Sequence, residues 1–180
     1  GADPNPPNPP GSSPQWSPNG DQIAYIGITN VVYVIDAALG TAHEVASAVS
    51  GVSWSPDGRY LTYIDHADLY TLKRWDIETG TAETLFTSED AISVPEWSAD
   101  GSRLMFEQYM PDPYFGGVSV IRVMAVDTGA ITRAFGGQNA RWSPDGASIA
   151  YHLLTYTAGE QGSQCTLVVL EEDQTQRALD

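Results

Sequence analysis

A segment reading Trp-Ser-Pro-Asp-Gly, or one substitution away from it, occurs four times in this chain, and that recurrence restricts the fold more than any other property of the sequence. The copies occupy residues 14–20 (PQWSPNG), 52–58 (VSWSPDG), 95–101 (PEWSADG) and 140–146 (ARWSPDG). Their tryptophans, Trp16, Trp54, Trp97 and Trp142, stand 38, 43 and 45 residues apart. A self-similar period of that length belongs to stacked supersecondary units, each too small to bury its own apolar faces.

The chemistry of one unit identifies the element. Serine opens a tight turn, proline fixes φ at its second position, aspartate takes the third, and Gly20, Gly58, Gly101 or Gly146 is free to adopt positive φ at the fourth. Two residues later an apolar, β-rich run begins, at 23–26, 61–64, 104–107 and 149–152, so turn and flanks read as a hairpin. A third strand follows at 31–35, 69–75, 118–126 and 166–170, ending in three units in an Asp-to-Gly turn: Asp36 to Gly40, Asp76 to Gly80 and Asp127 to Gly129. A weaker fourth strand, as at 82–86 and 131–135, completes each unit. The predicted fold is all-β: a β-propeller of four four-stranded antiparallel blades of about 40 residues. The blades span 14–50, 51–92, 93–137 and 138–180, behind a tail of residues 1–13. The four repeated tryptophans are then expected to pack blade on blade, while Trp75 stands outside the repeat and is a candidate for exposure and protein contact.

These segments closely resemble the TolB-type, WD-like propeller repeat, whose hallmark is Trp-Ser-Pro-Asp-Gly, two variable residues and an apolar-Ala-Tyr or Phe run. Copies two and four carry the Trp-Ser-Pro-Asp-Gly segment in full; Asn19 replaces the aspartate in copy one and Ala99 the proline in copy three. The resemblance runs from Gly11 onward. It implies a propeller of the bacterial envelope or extracellular space that binds other proteins, or a propeller belonging to a larger peptidase or receptor. Rings of this type usually carry six or more blades, so a chain of four raises self-assembly, as a two-chain ring or a filament, as an alternative role. The chain opens on an inner strand and ends on an outer one, so no strand is expected to be exchanged between first and last blades.

Charge narrows the partners. The chain holds 23 acidic residues against 8 Lys plus Arg, a formal net charge of −15, which repels phosphate backbones and anionic membranes. Nucleic acid is not expected as a partner. No apolar run reaches 18 residues and no signal-peptide layout opens the sequence, so the chain is expected to be soluble, mature or trimmed, and not inserted in a membrane. Partners are expected to be proteins, other copies of the chain among them.

Two regions are candidates for those contacts. The tail favours polyproline II, and a pre-extended segment loses little entropy on binding; Pro4, Pro6, Pro7, Pro9 and Pro10 are expected to dock on the chain's own propeller or on a neighbouring subunit, or to serve as a linker. Blades three and four have enlarged connections between second and third strands, 108–117 and 154–164. The first brings together Tyr109, Met110, Tyr114 and Phe115, an aromatic and methionine composition common at interfaces, and the second adds Tyr156.

Catalytic chemistry is not evident. His43, His66 and His152 fall in different strands or connections without partners at motif spacing, and Cys165, the single cysteine, has no adjacent histidine. Asp65-His66-Ala67-Asp68 is the one cluster with metal-ligand composition, and it reads as an ordinary polar connection. No metal, no cofactor and no enzymatic activity are expected.

Overall fold

In the computed structural model, residues 14–47, 49–67, 70–93, 95–112, 117–156, 163–171 and 175–179 are described. They form sixteen strands. The first blade is β1 (Gln15–Trp16), β2 (Gln22–Ile26), β3 (Val32–Asp36) and β4 (Ala42–Ala46); the second is β5 (Val49–Trp54), β6 (Tyr60–Asp65), β7 (Tyr70–Asp76) and β8 (Thr81–Ser88). The third is β9 (Glu96–Trp97), β10 (Arg103–Met110), β11 (Val118–Ala125) and β12 (Ile131–Gly136); the fourth is β13 (Gln138–Trp142), β14 (Ile149–Tyr156), β15 (Ser163–Leu170) and β16 (Gln176–Leu179). Each sheet is an antiparallel meander of four consecutive strands, and among the described residues no strand is exchanged between blades. β5 begins at Val49, just before the expected blade boundary, and the inner strands β5 and β13 each carry a bulge, at Gly51 and Asn139, both with positive φ.

One hydrogen-bond circuit builds all four repeated turns. The glycine N–H closes the turn onto the serine carbonyl at 2.8–2.9 Å, and the four glycines sit at φ between 72° and 78°. The serine hydroxyl accepts the backbone N–H five residues on (Gln22, Tyr60, Arg103, Ser148) and donates to the residue two places along: Asn19, Asp57, Asp100 or Asp145. That side chain in turn accepts the N–H two residues further (Asp21, Arg59, Ser102, Ala147). Ser17, Ser55 and Ser98 are buried, so the hydroxyl satisfies donors that water does not reach. Serving as acceptors holds the carboxylates below their ordinary range. Asp100 falls to about 2, from the Ser98 hydroxyl first and then the Ser102 hydroxyl and N–H; Asp57 and Asp145 are lowered by Ser55 and Ser143.

The second kind of turn departs from expectation in one blade. Asp36 and Asp76 each cap their turn, accepting two backbone N–H groups while Gly40 and Gly80 close onto their carbonyls. In the third blade Gly129 closes onto Ala125 instead, so that turn starts two residues before Asp127 and lacks a side-chain cap at its first position.

The chain forms two compact units, one ending at Pro95 and one beginning at Glu96, each holding two blades. In the first, Ala24, Ile26, Val32 and Val34 of blade one meet Val49, Val52, Trp54, Leu61 and Tyr63 of blade two. In the second, Met105, Ile121 and Val123 of blade three meet Ala140, Ile149, Tyr151, Val168 and Leu170 of blade four. The same polar link crosses both junctions. Trp54 donates its indole N–H to the Gln15 carbonyl at 3.1 Å, and Trp142 donates to the Glu96 carbonyl at 3.3 Å, the acceptor in each case preceding the earlier blade's tryptophan. Trp54 and Trp97 are buried, whereas Trp16, with no described blade before it in the chain, is 61% exposed.

Replacing Ser98 by Ala leaves the Arg103 N–H and the Asp100 carboxylate without their shared partner and is expected to cost about 1–3 kcal/mol in urea unfolding. Asp100 has a lower pKa folded than unfolded, so its contribution is present above about pH 4 and is lost as pH falls toward about 2. Asp100→Asn, which copies the Asn19 turn, is expected to fold and to show a shallower loss of urea midpoint between pH 5 and about pH 2 than the parent.

Candidate functional site

Blades three and four enclose a cleft at the end opposite their Ser-Pro/Ala-Asp-Gly turns, where β10 turns toward β11 and β12 passes into β13. The hairpin arm expected to be a loop from Gln108 is strand for three more residues: Gln108, Tyr109 and Met110 pair with Val120, Ser119 and Val118. The fourth blade extends likewise, Leu154, Thr155 and Tyr156 pairing with Cys165, Gln164 and Ser163. These arms are rich in β-formers, and each added cross-strand pair offsets the cost of ordering it. Arg122 Nε donates to Gln108 Oε1 at 2.5 Å, tying the arm to its neighbour.

The cleft holds about 180 Å³ and has Tyr109, Val118, Leu153 and Leu154 on its walls. Its floor is backbone: at Gly137, φ is +156° and a Cβ would run into Tyr151 and Ile121, while a Cβ on Gly117 would strike the Tyr109 ring. Glycine at these two places lets Tyr109 lie down over β11 and lets β13 start close against the core. Tyr109 remains 48% exposed and Val118 39%. A volume of this size is below the roughly 300–1,000 Å³ of small-molecule sites and suits one or two inserted side chains. Leu153, Leu154, Val118 and the glycine floor were not singled out by the sequence; the pair Gly136-Gly137 between two strands was the available signal.

The remaining candidates are dispersed. Met110 ends β10, half-buried beside the cleft. Trp75 is half-buried and packs on the first unit's core, with Gly80 at its edge. Tyr114 and Phe115, and the tail prolines Pro4, Pro6, Pro7, Pro9 and Pro10, lie outside the described residues, as does the side chain of Tyr156. Asp65 is bound by Lys73 at 2.6 Å and caps the Ala67 N–H, while Asp68 lies outside the described residues.

Carboxylates serve the junction behind the cleft. Glu96 accepts the Trp142 N–H and Glu107 the Ala140 N–H, so two donors of the inner edge strand β13 are met by blade three. Burial pushes Glu96 above its usual range, against the pull of the Trp142 N–H and Arg141. Arg103 lies over the Trp142 ring at 4.8 Å and donates to the Gly146 carbonyl. Cations elsewhere are similarly engaged: Arg59 with Asp76, Arg74 with Glu83, Arg177 with Glu171.

No protein-family model matches the chain. An uncharacterized protein of Agrobacterium fabrum is 27% identical over 154 residues, covering 76% of this chain and 52% of its own length. Among solved structures, TolB from Acinetobacter baumannii superposes with a TM-score of 0.68 at 20% identity, covering 95% of this chain and 43% of TolB. The fold is a TolB-type β-propeller. The acylaminoacyl peptidase of Pyrococcus horikoshii matches with a TM-score of 0.74 at 15% identity over 94% of this chain and 32% of its own. The propeller domain of the Trilobed protease of Pyrococcus furiosus, which has an open velcro topology, gives 0.74 at 14% identity over 94% and 56%. This chain thus spans about half of its curated relative and less than two thirds of each of these solved chains.

Gly137→Ala is expected to destabilise the second unit by about 1–3 kcal/mol, through the clash with Tyr151 and Ile121, and to lower the thermal midpoint. Gly136→Ala, whose Cβ meets nothing within 4 Å, is expected to leave that midpoint near the parent value.

Proposed function

We propose that this chain is a non-catalytic protein-interaction module that works outside the cytoplasm and takes an apolar or aromatic side chain of its partner into the cleft of blades three and four. The cleft carries this reading: it is apolar, too small for most cofactors, and rimmed by a half-exposed tyrosine standing on paired strands. Asp57, Asp100 and Asp145, whose titration is lowered, are engaged in the repeated turns, and Glu96, whose titration is raised, in a blade junction. The internal pairing of the few cations supports a protein over a polyanion as partner. The extracytoplasmic setting rests on the likeness to TolB-type repeats.

A second reading, the propeller part of a longer enzyme, is favoured by the two protease likenesses and by the fraction of those chains this one spans. It is separated from the first by assaying the longest natural product of the same gene for peptide hydrolysis, with and without residues 1–180.

A photo-crosslinking residue placed at Tyr109 or Val118, and as a control at Leu39, which is exposed in the first unit, tests the cleft in cells that make the protein. A shared protein adduct from the first two positions and none from the third is expected. With that partner purified, Tyr109→Ser is expected to weaken binding roughly tenfold or more. Equal labelling from all three positions, or none from the cleft, would overturn the reading.

A further inference from the structure

The first repeated turn differs chemically from the other three. Its third residue is Asn19, an amide, where the others carry the carboxylates Asp57, Asp100 and Asp145, and a glycine follows in every case. An asparagine before glycine is the pair most open to attack on its own side chain, because the nitrogen that attacks has no Cβ beside it. Asn19-Gly20 is the one such pair in the sequence. Asn5 and Asn8 precede proline, which has no N–H to give up, and Asn30 and Asn139 precede valine and alanine.

The reaction consumes only water. The Gly20 N–H surrenders its proton, the nitrogen bonds to Asn19 Cγ, and the side-chain amide leaves as ammonia, closing a five-membered imide ring. Water then opens the ring. Breaking the bond from the Gly20 nitrogen to Cγ gives aspartate; breaking its bond to the main-chain carbon gives isoaspartate, whose backbone runs through Cβ and Cγ.

The folded turn holds the reacting atoms out of that geometry. In the ring the Gly20 nitrogen eclipses Cβ about the Cα–C bond of Asn19, whereas a turn closed from its fourth N–H to its first carbonyl keeps ψ of the third residue at about 0°. The Gly20 N–H is engaged in this way, on the Ser17 carbonyl at 2.9 Å. Asn19 Oδ1 is pinned as well, accepting the Ser17 hydroxyl at 2.7 Å and the Asp21 N–H at 3.2 Å. Blade two confines the side chain from another direction: a Cβ on Gly58 would stand 3.8 Å from Asn19 Cγ. In the other three turns the same bonds act on carboxylates, which their lowered titration keeps ionised and therefore resistant to nucleophilic attack. Asn19 has no charge to shield it and depends on the turn's geometry.

We propose that Asn19 is a site of spontaneous deamidation gated by its own turn, blocked in the folded hairpin and reactive whenever the first hairpin of blade one opens. The two products part on refolding. Aspartate is the residue that the other three turns use, and it re-enters the circuit. Isoaspartate lengthens the main chain ahead of Gly20, so the Gly20 N–H no longer meets the Ser17 carbonyl, and the chain stays marked as one that has been open.

Peptide mapping after incubation at mildly alkaline pH reads this directly, by the mass gained when an amide becomes an acid and by separation of the aspartyl and isoaspartyl peptides. The chain unfolded in urea is expected to react at the rate of a synthetic peptide of residues 15–22. The folded chain is expected to react at least about fivefold more slowly, the factor that one net hydrogen bond supplies. Ser17→Ala, which removes the hydroxyl donor, is expected to move the folded rate toward the peptide's, with circular dichroism at the incubation temperature establishing that the variant is folded. A urea series on the parent keeps the test independent of that variant: conversion of Asn19 is expected to rise with the fraction of open chain. Returned from urea, isoaspartyl chains are expected to unfold at a lower midpoint than aspartyl ones. A folded chain that reacts as fast as the peptide, an unfolded chain in which Asn19 stays intact, a folded rate unmoved by both Ser17→Ala and urea, or equal midpoints for the two products would each overturn the proposal.

Discussion

A serine hydroxyl, buried in three of the four blades, accepts from one backbone N–H, donates to one carboxylate or amide, and so holds the hairpin on which every blade is built. Ser17, Ser55, Ser98 and Ser143 each stand between the backbone N–H five residues on, where the second strand begins or is about to begin, and the acceptor two residues along. With the hydroxyl in place the chain reverses within four residues and delivers the second strand in register against the tryptophan. That register decides which apolar residues face forward and which face back, and hence what the next blade meets. The circuit is local to each copy, so it tolerates Asn19 for aspartate and Ala99 for proline while the serine and glycine stay.

Much of this was legible before any coordinates. Period, turn chemistry and alternation placed the second and third strands of every blade and the fourth strand of two, because each signal depends on residues within a few positions of one another. What was illegible is set by distance or by competition. The carboxylates that meet the β13 edge come from residues more than thirty positions away. In the third blade Asp127 has the chemistry of a turn opener, yet Gly129 closes onto Ala125 and leaves the aspartate at the crest. The segment 108–117 reads as a connection, although cross-strand pairing with Ser119 and Val118 keeps Tyr109 and Met110 in the sheet.

The cleft shows the same division. Tyr109 could be singled out by composition, but its wall partners Leu153 and Leu154 come from the next blade, and Gly117, Gly136 and Gly137 contribute backbone to the lining. Apolar residues at the end of a strand read as ordinary core until the fold reveals that backbone, with no side chain in front of it, lies opposite.

A blade whose tryptophan face, its front, differs from its back behaves as a unit with polarity. Nothing within such a unit counts how many have come before, since every junction asks only for a tryptophan face to meet an apolar back and a carbonyl. Tandem duplication of the coding segment can therefore lengthen a stack by whole blades without inventing a new contact, and each duplicated front arrives already matched to the back it must cover. The spacing of the four copies, 38, 43 and 45 residues, varies in the stretches between the repeated turns and not within the turns themselves.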